Sequence, residues 1–327
     1  MIKKIIMLIL ILTLLIPQAR AEKPLIVVSI PPLAEIVREA FGESIEVVYL
    51  IPLGADPHQA QLTTQQIEQI KKATIIVTSG GHLPIEQNIM ELKKAGDIRA
   101  RVLWIDDYQR EGFSYLEKRW MEGKNEHGIW LDPRNGLAIA RAVKKALIEK
   151  DPLNAGVYEK KFQIFEERII TIMNSYQVLI GKLNKNVTAI IEMPSMQYAV
   201  EWLGVRSIEA IKPEEEYPAK SIDELLTSSE SFDLIVYSTN SPEQLKIAAE
   251  DLAKRSGKPL ANIQVFWTNK EYSKVLIENS AEILKALEVK EAQKVVVEEK
   301  SNSIYAILAL LLGIAIGLTG GMLLWRQ

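Results

Sequence analysis

Leu25-Ile26-Val27-Val28-Ser29-Ile30, closed by Pro31-Pro32, is the stretch on which the fold turns. A continuous apolar run of this length, without alternating polar residues, suits a strand buried on both faces, and such strands belong to parallel sheets covered by helices. Outward from it the pattern agrees. Leu33, Ile36, Val37 and Ala40 repeat at helical spacing until Gly42. Residues 45–51 then read as a strand, 62–72 as a helix with Ile67 and Ile70 on one face, and 74–78 as a β-branched strand ended by Ser79-Gly80-Gly81. A helix over 84–94 and a strand over 101–105 follow. Strands alternating with helices of this length predict a parallel sheet with helices on both faces.

After Asp132-Pro133 the rhythm changes, and 135–150 and 152–182 read as helix almost without interruption. At about 1.5 Å per residue the second is a rod more than about 40 Å long, enough to bridge two lobes. Alternation then resumes, with strands over 187–191, 205–211, 234–237 and 263–266 and helices over 196–202, 221–227, 242–256 and 272–287. The expected fold is α/β: two lobes with parallel sheets flanked by helices, joined by one long interlobe helix, plus a C-terminal transmembrane helix.

That last helix comes from residues 304–325, an uncharged run rich in Ile, Leu, Ala and Gly that as a helix just spans a hydrocarbon core of about 30 Å. Arg326 behind it favours a cytoplasmic C-terminus. At the other end, Lys3-Lys4, an apolar run over 5–16 and the triplet Ala19-Arg20-Ala21 make a secretory signal cleaved after Ala21. The expected layout is a signal peptide over 1–21, an N-terminal α/β lobe over 22–150, a connecting helix over 151–184, a C-terminal α/β lobe over 185–290, a juxtamembrane linker over 291–303 and the span over 304–325. The body faces the extracytoplasmic side of the cell membrane, tethered by its own C-terminal helix.

Composition narrows the chemistry. In 327 residues, 39 Lys+Arg stand against 42 Asp+Glu with the signs interspersed, so no basic stripe exists to neutralise a phosphate backbone and nucleic acid is excluded as a partner. Cysteine is absent, which removes thiolate metal sites and thiol nucleophiles. Any site must draw on His, carboxylates or hydroxyls. The three histidines, His58, His82 and His127, all follow strands or loops of the expected first lobe. Ligands of open α/β sheets bind at the carboxyl ends of strands, and imidazole suits zinc and other borderline metals. In Asp56-Pro57-His58 a neighbouring carboxylate is placed to orient an imidazole. The run Glu214-Glu215-Glu216 reads as a solvated surface loop, with metal binding as the lesser alternative, Trp130 as a residue that seats its loop, and Tyr198 and Trp202 as core. Asn186-Val187-Thr188 fits a glycosylation sequon.

Several motifs taken in order resemble the ABC-transporter solute-binding proteins that capture zinc or manganese outside the membrane (cluster 9). Residues 52–58 match the pattern Pro-x-Gly-x-Asp-Pro-His, and His127 to Pro133 match His-x-Trp-Leu-(Asp/Ser)-Pro with one extra residue before Trp130. Asp151 to Tyr158 match Asp-Pro-x-Asn-Ala-x-x-Tyr, and Ser79 to Glu86 correspond loosely to Asn-Gly-x-Gly-x-Glu. The similarity covers roughly residues 25–288. It implies that His58 and His127 are metal ligands and that Glu192, in Ile190-Ile191-Glu192-Met193-Pro194, is the third. The family's fourth ligand, an aspartate, falls near 263–269, where Ile-Gln-Val-Phe-Trp-Thr-Asn has no carboxylate. His82 is the expected replacement, with Glu86 as the alternative.

The resemblance thus implies a binding protein, not an enzyme. It captures zinc, or manganese second, as transported ligand in the interlobe cleft at His58, His82, His127 and Glu192 and delivers it to an ABC permease in the same membrane. The nitrogen-rich donor set favours zinc. Family members often attach through a lipidated cysteine, and here the C-terminal span takes that role. The alternatives are a membrane-tethered metal-dependent hydrolase, against which stands the absence of a His-Glu-x-x-His helix, and the same fold binding a different solute.

Overall fold

The computed structural model describes residues 22–183, 186–214, 216–228 and 231–295. The expected signal peptide and membrane span lie outside these residues; among the described residues no helix is long and apolar enough to cross a membrane. The chain divides into two compact units, one formed by residues up to Glu111 with Ala140–Phe165, the other by Gly112–Ile139 with the residues from Glu166 onward.

The first unit is built on β1 (Leu25–Val28), β2 (Glu46–Tyr49), β3 (Ile75–Val77) and β4 (Arg101–Leu103). They form one parallel sheet in the order β2-β1-β3-β4, with Val27 opposite Val48 and Ile76, and Ile76 opposite Val102. Ile26 to Val28 of β1 and all of β3 are fully buried, as the unbroken apolar run at 25–30 requires. Between the strands lie α1 (Pro31–Phe41), α2 (Thr64–Lys72) and α3 (Pro84–Ala95). Proline at the first turn starts α1 and α3, where no N–H bond is lost. A reciprocal capping box starts α2: Thr63 Oγ1 accepts from the Gln66 N–H, and Gln66 Oε1 accepts from the Thr63 N–H at 2.9 Å. A short α4 (Ile105–Gln109), absent from the sequence reading, carries the fully buried Tyr108 under the sheet end.

The second unit repeats the plan. Strands β7 (Thr188–Ile191), β8 (Arg206–Ala210), β9 (Leu234–Tyr237) and β10 (Leu260–Asn262) form a parallel sheet ordered β10-β9-β7-β8. Counted from the first strand of each four-stranded sheet, both run second, first, third, fourth. Helices α7 (Met196–Glu201), α8 (Ile222–Ser228) and α9 (Glu243–Ser256) alternate with these strands, and α10 (Tyr272–Val295) follows the last. Its core joins Ile190, Ile235, Ile211, Phe232, Leu245 and Leu252. The fourth strand occupies 260–262, not 263–266: the apolar residues at 263–266 leave the sheet, and Phe266 packs its ring on Trp130 at 5.2 Å.

A two-stranded hairpin, β5 (Leu116–Glu117) with β6 (Lys124–Asn125), belongs to this unit. Residues 112–139 were expected in the first lobe. They join the second unit because Trp120 Nε1 donates to the Pro213 carbonyl, Trp130 Nε1 to the Val265 carbonyl, and the Leu116 N–H to the Tyr198 hydroxyl, at 2.9, 2.9 and 3.0 Å. Two helices carry residues of both units: α5 (Pro133–Lys150), which changes unit at Ala140, and α6 (Ala155–Leu183), which changes at Glu166. At 29 residues α6 is about 44 Å long. Helix α10 continues to Val295, past the start of the expected linker at 291.

The Tyr108 hydroxyl donates to the Thr78 carbonyl at 2.8 Å in a fully buried site. Tyr108→Phe removes that bond and is expected to cost about 1–2 kcal/mol, read as a lower urea midpoint with an unchanged m-value.

Candidate functional site

In the first unit the loops after β2 and β3 bring His58 and His82 together. Their ring centroids are 6.0 Å apart with the planes inclined at 47°, and both side chains are half-buried. Asp56 shapes the first loop through the backbone: one carboxylate oxygen accepts the His58 N–H at 2.9 Å and the other the Gln59 amide at 2.7 Å. His82 stands on a loop whose two preceding residues, Gly80 and Gly81, have φ of 135° and 93°, conformations that a side chain resists. Fully buried Glu86 fixes that loop. Its Oε1 accepts from the Ser79 N–H and its Oε2 from the Gly81 N–H at 2.7 Å. Burial raises the Glu86 carboxyl above its usual range, opposed by hydrogen bonds from Ser29, Ser79 and Gly81. Glu86, the alternative fourth donor, therefore spends both oxygens on the loop that presents His82.

In the second unit His127 is held from its backbone outward. Its N–H donates to Asn125 Oδ1 at 3.0 Å, and the Asn125 amide donates to the Pro194 carbonyl at 2.7 Å and to Gln197 Oε1 at 2.9 Å. The Tyr198 hydroxyl donates to the Asn125 carbonyl at 2.6 Å, and that of Tyr272 to the Trp130 carbonyl at 2.9 Å. Gly128 sits at φ 76° directly against Ser195, so a Cβ there would overlap the Ser195 backbone. The His127 ring meets Glu214: Nε2 lies 2.6 Å from Oε1. The other oxygen of Glu214 accepts from the Lys118 ammonium on the hairpin. Glu214 is 8% exposed, so the reading of 214–216 as a solvated loop fails at its first residue, while Glu216 is exposed. Burial works to raise the Glu214 carboxyl, but the bonds and charges of His127 and Lys118 prevail and hold it down to about 2.

Glu192 follows β7 at the carboxyl end of the sheet and is fully buried. Its Oε2 accepts from the Ser238 N–H and from the Ser241 hydroxyl, each at 2.8 Å, which ties it to the loop after β9. Its Oε1 is buried without a hydrogen-bond partner. Burial drives its carboxyl up to about 7 against those two bonds and the charge of Lys246. The strand order reverses between β7 and β9, and this switch point is where open α/β sheets bind ligands.

The structure thus joins His58 to His82, and His127 to Glu214. Within neither unit do three or more His, Asp or Glu side chains among the described residues form a cluster able to hold a metal ion. Residues 263–269 bring no carboxylate, and their loop is braced by the Gln264 N–H donating to Asn279 Oδ1 at 2.8 Å. Glu214 is the residue that the sequence reading placed on the surface and the structure buries. A run of three glutamates carries no local mark that its first member turns inward, and the hairpin residues that capture it lie far away in the chain.

Glu192 makes stability depend on pH in a definite direction. Unfolded it titrates near 4.5 and folded near 7, so between these values the folded chain holds the extra proton. Its contribution is complete below about pH 4.5 and is lost as pH rises through about 7, by roughly 3 kcal/mol in all. Glu192→Gln is expected to remove this fall, seen as urea midpoints of the metal-free protein that differ less between pH 5 and pH 8 than in the wild type.

Comparison with known proteins agrees with this layout. The manganese ABC transporter substrate-binding lipoprotein scaA of Streptococcus gordonii is 29% identical over 144 residues, 43% of this chain and 46% of that protein. The manganese ABC transporter substrate-binding lipoprotein PsaA of Streptococcus pneumoniae is 28% identical over 156 residues, 46% of this chain and 50% of that protein. The chain spans about half the length of the curated relatives it matches. Among solved structures, ZnuA superposes with a TM-score of 0.66 at 23% identity, over 81% of this chain and 100% of that one. A manganese-bound periplasmic metal binding protein from Candidatus Liberibacter asiaticus gives 0.66 at 18% identity, again over 81% and 100%. These two likenesses establish the fold. Because residues 26–293 match the family described as zinc-uptake complex component A, periplasmic, the chain belongs to the ZnuA family of metal ABC transporter substrate-binding proteins.

Proposed function

We propose that this chain captures a divalent transition metal outside the membrane, zinc first and manganese second, and passes it to an ABC permease, binding its cargo without transforming it. His58, His82, His127 and Glu192 are the proposed donors. Residues 304–325 are the proposed anchor, with the body on the extracytoplasmic side.

The observation that carries this reading is the His58–His82 pair. Two imidazoles sharing one tetrahedral zinc at about 2.0–2.1 Å place their centroids about 5 Å apart. The rings stand at 6.0 Å, a rotamer adjustment away. His82 thus supports the role expected of it, while Glu86 serves as the residue that positions it. The unpartnered buried oxygen of Glu192 is a second point in favour, since a carboxylate oxygen in that state gains from a cation.

Thermal unfolding of residues 22–303 tests the proposal. Free zinc at about 100 times its dissociation constant is expected to stabilise the wild type by about 2.7 kcal/mol, a rise of several degrees. His58→Ala and His127→Ala are expected to lose most of that rise. A midpoint that no divalent transition metal moves would refute the reading.

A further inference from the structure

We propose that Glu214 is a further donor to the captured ion, bound together with His127, and supplies the carboxylate that residues 263–269 do not. The inference rests on the metal-capture reading above and extends it to a residue outside the four proposed donors.

The contact itself is the first ground. Nε2 of His127 and Oε1 of Glu214 are 2.6 Å apart. Two lone pairs cannot face each other at that distance unless something positive lies between them. In the metal-free chain a proton on Nε2 serves, and a metal ion can take the same place. Tetrahedral zinc with bonds of about 2.0–2.2 Å would set nitrogen and oxygen about 3.3 Å apart. The pair need open by only about 0.7 Å from its present spacing, within reach of side-chain rotation alone.

The surroundings of the carboxylate are the second ground. Lys118 occupies Oε2, leaving Oε1, buried in the protein, to the imidazole. One oxygen free for a cation and the other held by a donor is how a monodentate metal-binding carboxylate is usually supported. The support is anchored in turn, because Trp120 on the same hairpin donates to the carbonyl of Pro213, the residue before Glu214.

The test uses the full chain in detergent, with zinc, manganese and cobalt(II) as probes. Glu214→Gln keeps the shape and an acceptor for Lys118 but removes the charge. It is expected to weaken zinc binding about 10- to 100-fold, to weaken manganese more because that ion prefers oxygen donors, and to shift the visible absorption of the cobalt form. Glu214→Asp, which withdraws the carboxylate by one methylene, is expected to shift the same absorption and decides the matter should the glutamine variant not fold. Unchanged or tighter zinc binding with an unaltered cobalt spectrum would show that the ion merely displaces Glu214, and the inference would fall while metal capture stood. A wild type that binds none of the three ions would overturn both.

Discussion

Buried N–H groups at the carboxyl ends of parallel strands need an acceptor, and in each sheet a buried glutamate provides it. Glu86 takes the donors of Ser79 and Gly81 in the first unit, and Glu192 those of Ser238 and Ser241 in the second. Taking a carboxylate out of water is expensive unless hydrogen bonds replace its hydration, and both groups are raised by burial despite those bonds. What this cost secures is the shape of the loops beyond the strand ends. The two glutamates reach those positions from different elements, Glu86 from the helix after the third strand of its sheet and Glu192 from the end of the first strand of its own. Glu86 has no oxygen to spare, and Glu192 keeps one buried and unused. The first therefore shapes its loop alone, and the second keeps an acceptor for the donor role proposed for it.

Much of the frame was legible in the residues because the central strands have apolar neighbours on both faces and leave no room for alternation. Residues 234–237 coincide with β9, and the runs at 25–30, 74–78 and 187–191 each contain a central strand. What periodicity lacks is any record of contacts made across long stretches of chain. The β5–β6 hairpin has strands of two residues and holds its place through Trp120 and Lys118, whose partners lie 93 and 96 positions away. Residues 263–266 misled for a related reason. Their apolar character serves packing against Trp130, and the sheet takes instead the less hydrophobic residues 260–262.

The site divides along the same line. Imidazoles are scarce in this chain, so each invited attention, and the pairing of His58 with His82 follows from loops that leave β2 and β3, the two neighbours of β1. His127 was found by its motif but assigned to the other half of the chain, because membership of a unit is decided by the Asn125 and Trp130 bonds and not by sequence order. Glu214 was read as a surface residue because its burial depends on Pro213 being held and on Lys118 arriving from the hairpin.

The charges around His127 bear on how tightly the proposed cargo would be held. With a neutral imidazole, Lys118 and Glu214 cancel, so the carboxylate offers an oxygen while adding little net negative charge. Under the proposed function the chief negative compensation for a divalent ion there would be Glu192, whose carboxyl burial pushes up to about 7 because two hydrogen bonds do not fully replace its lost hydration. A cation there improves the state of Glu192 as much as Glu192 improves that of the cation. Under the proposed function, nitrogen donors combined with a neutralised carboxylate would favour a borderline ion such as zinc over a hard one. An ion whose charge is only partly balanced would also be one that a more negative acceptor can withdraw, as the proposed delivery to a permease requires.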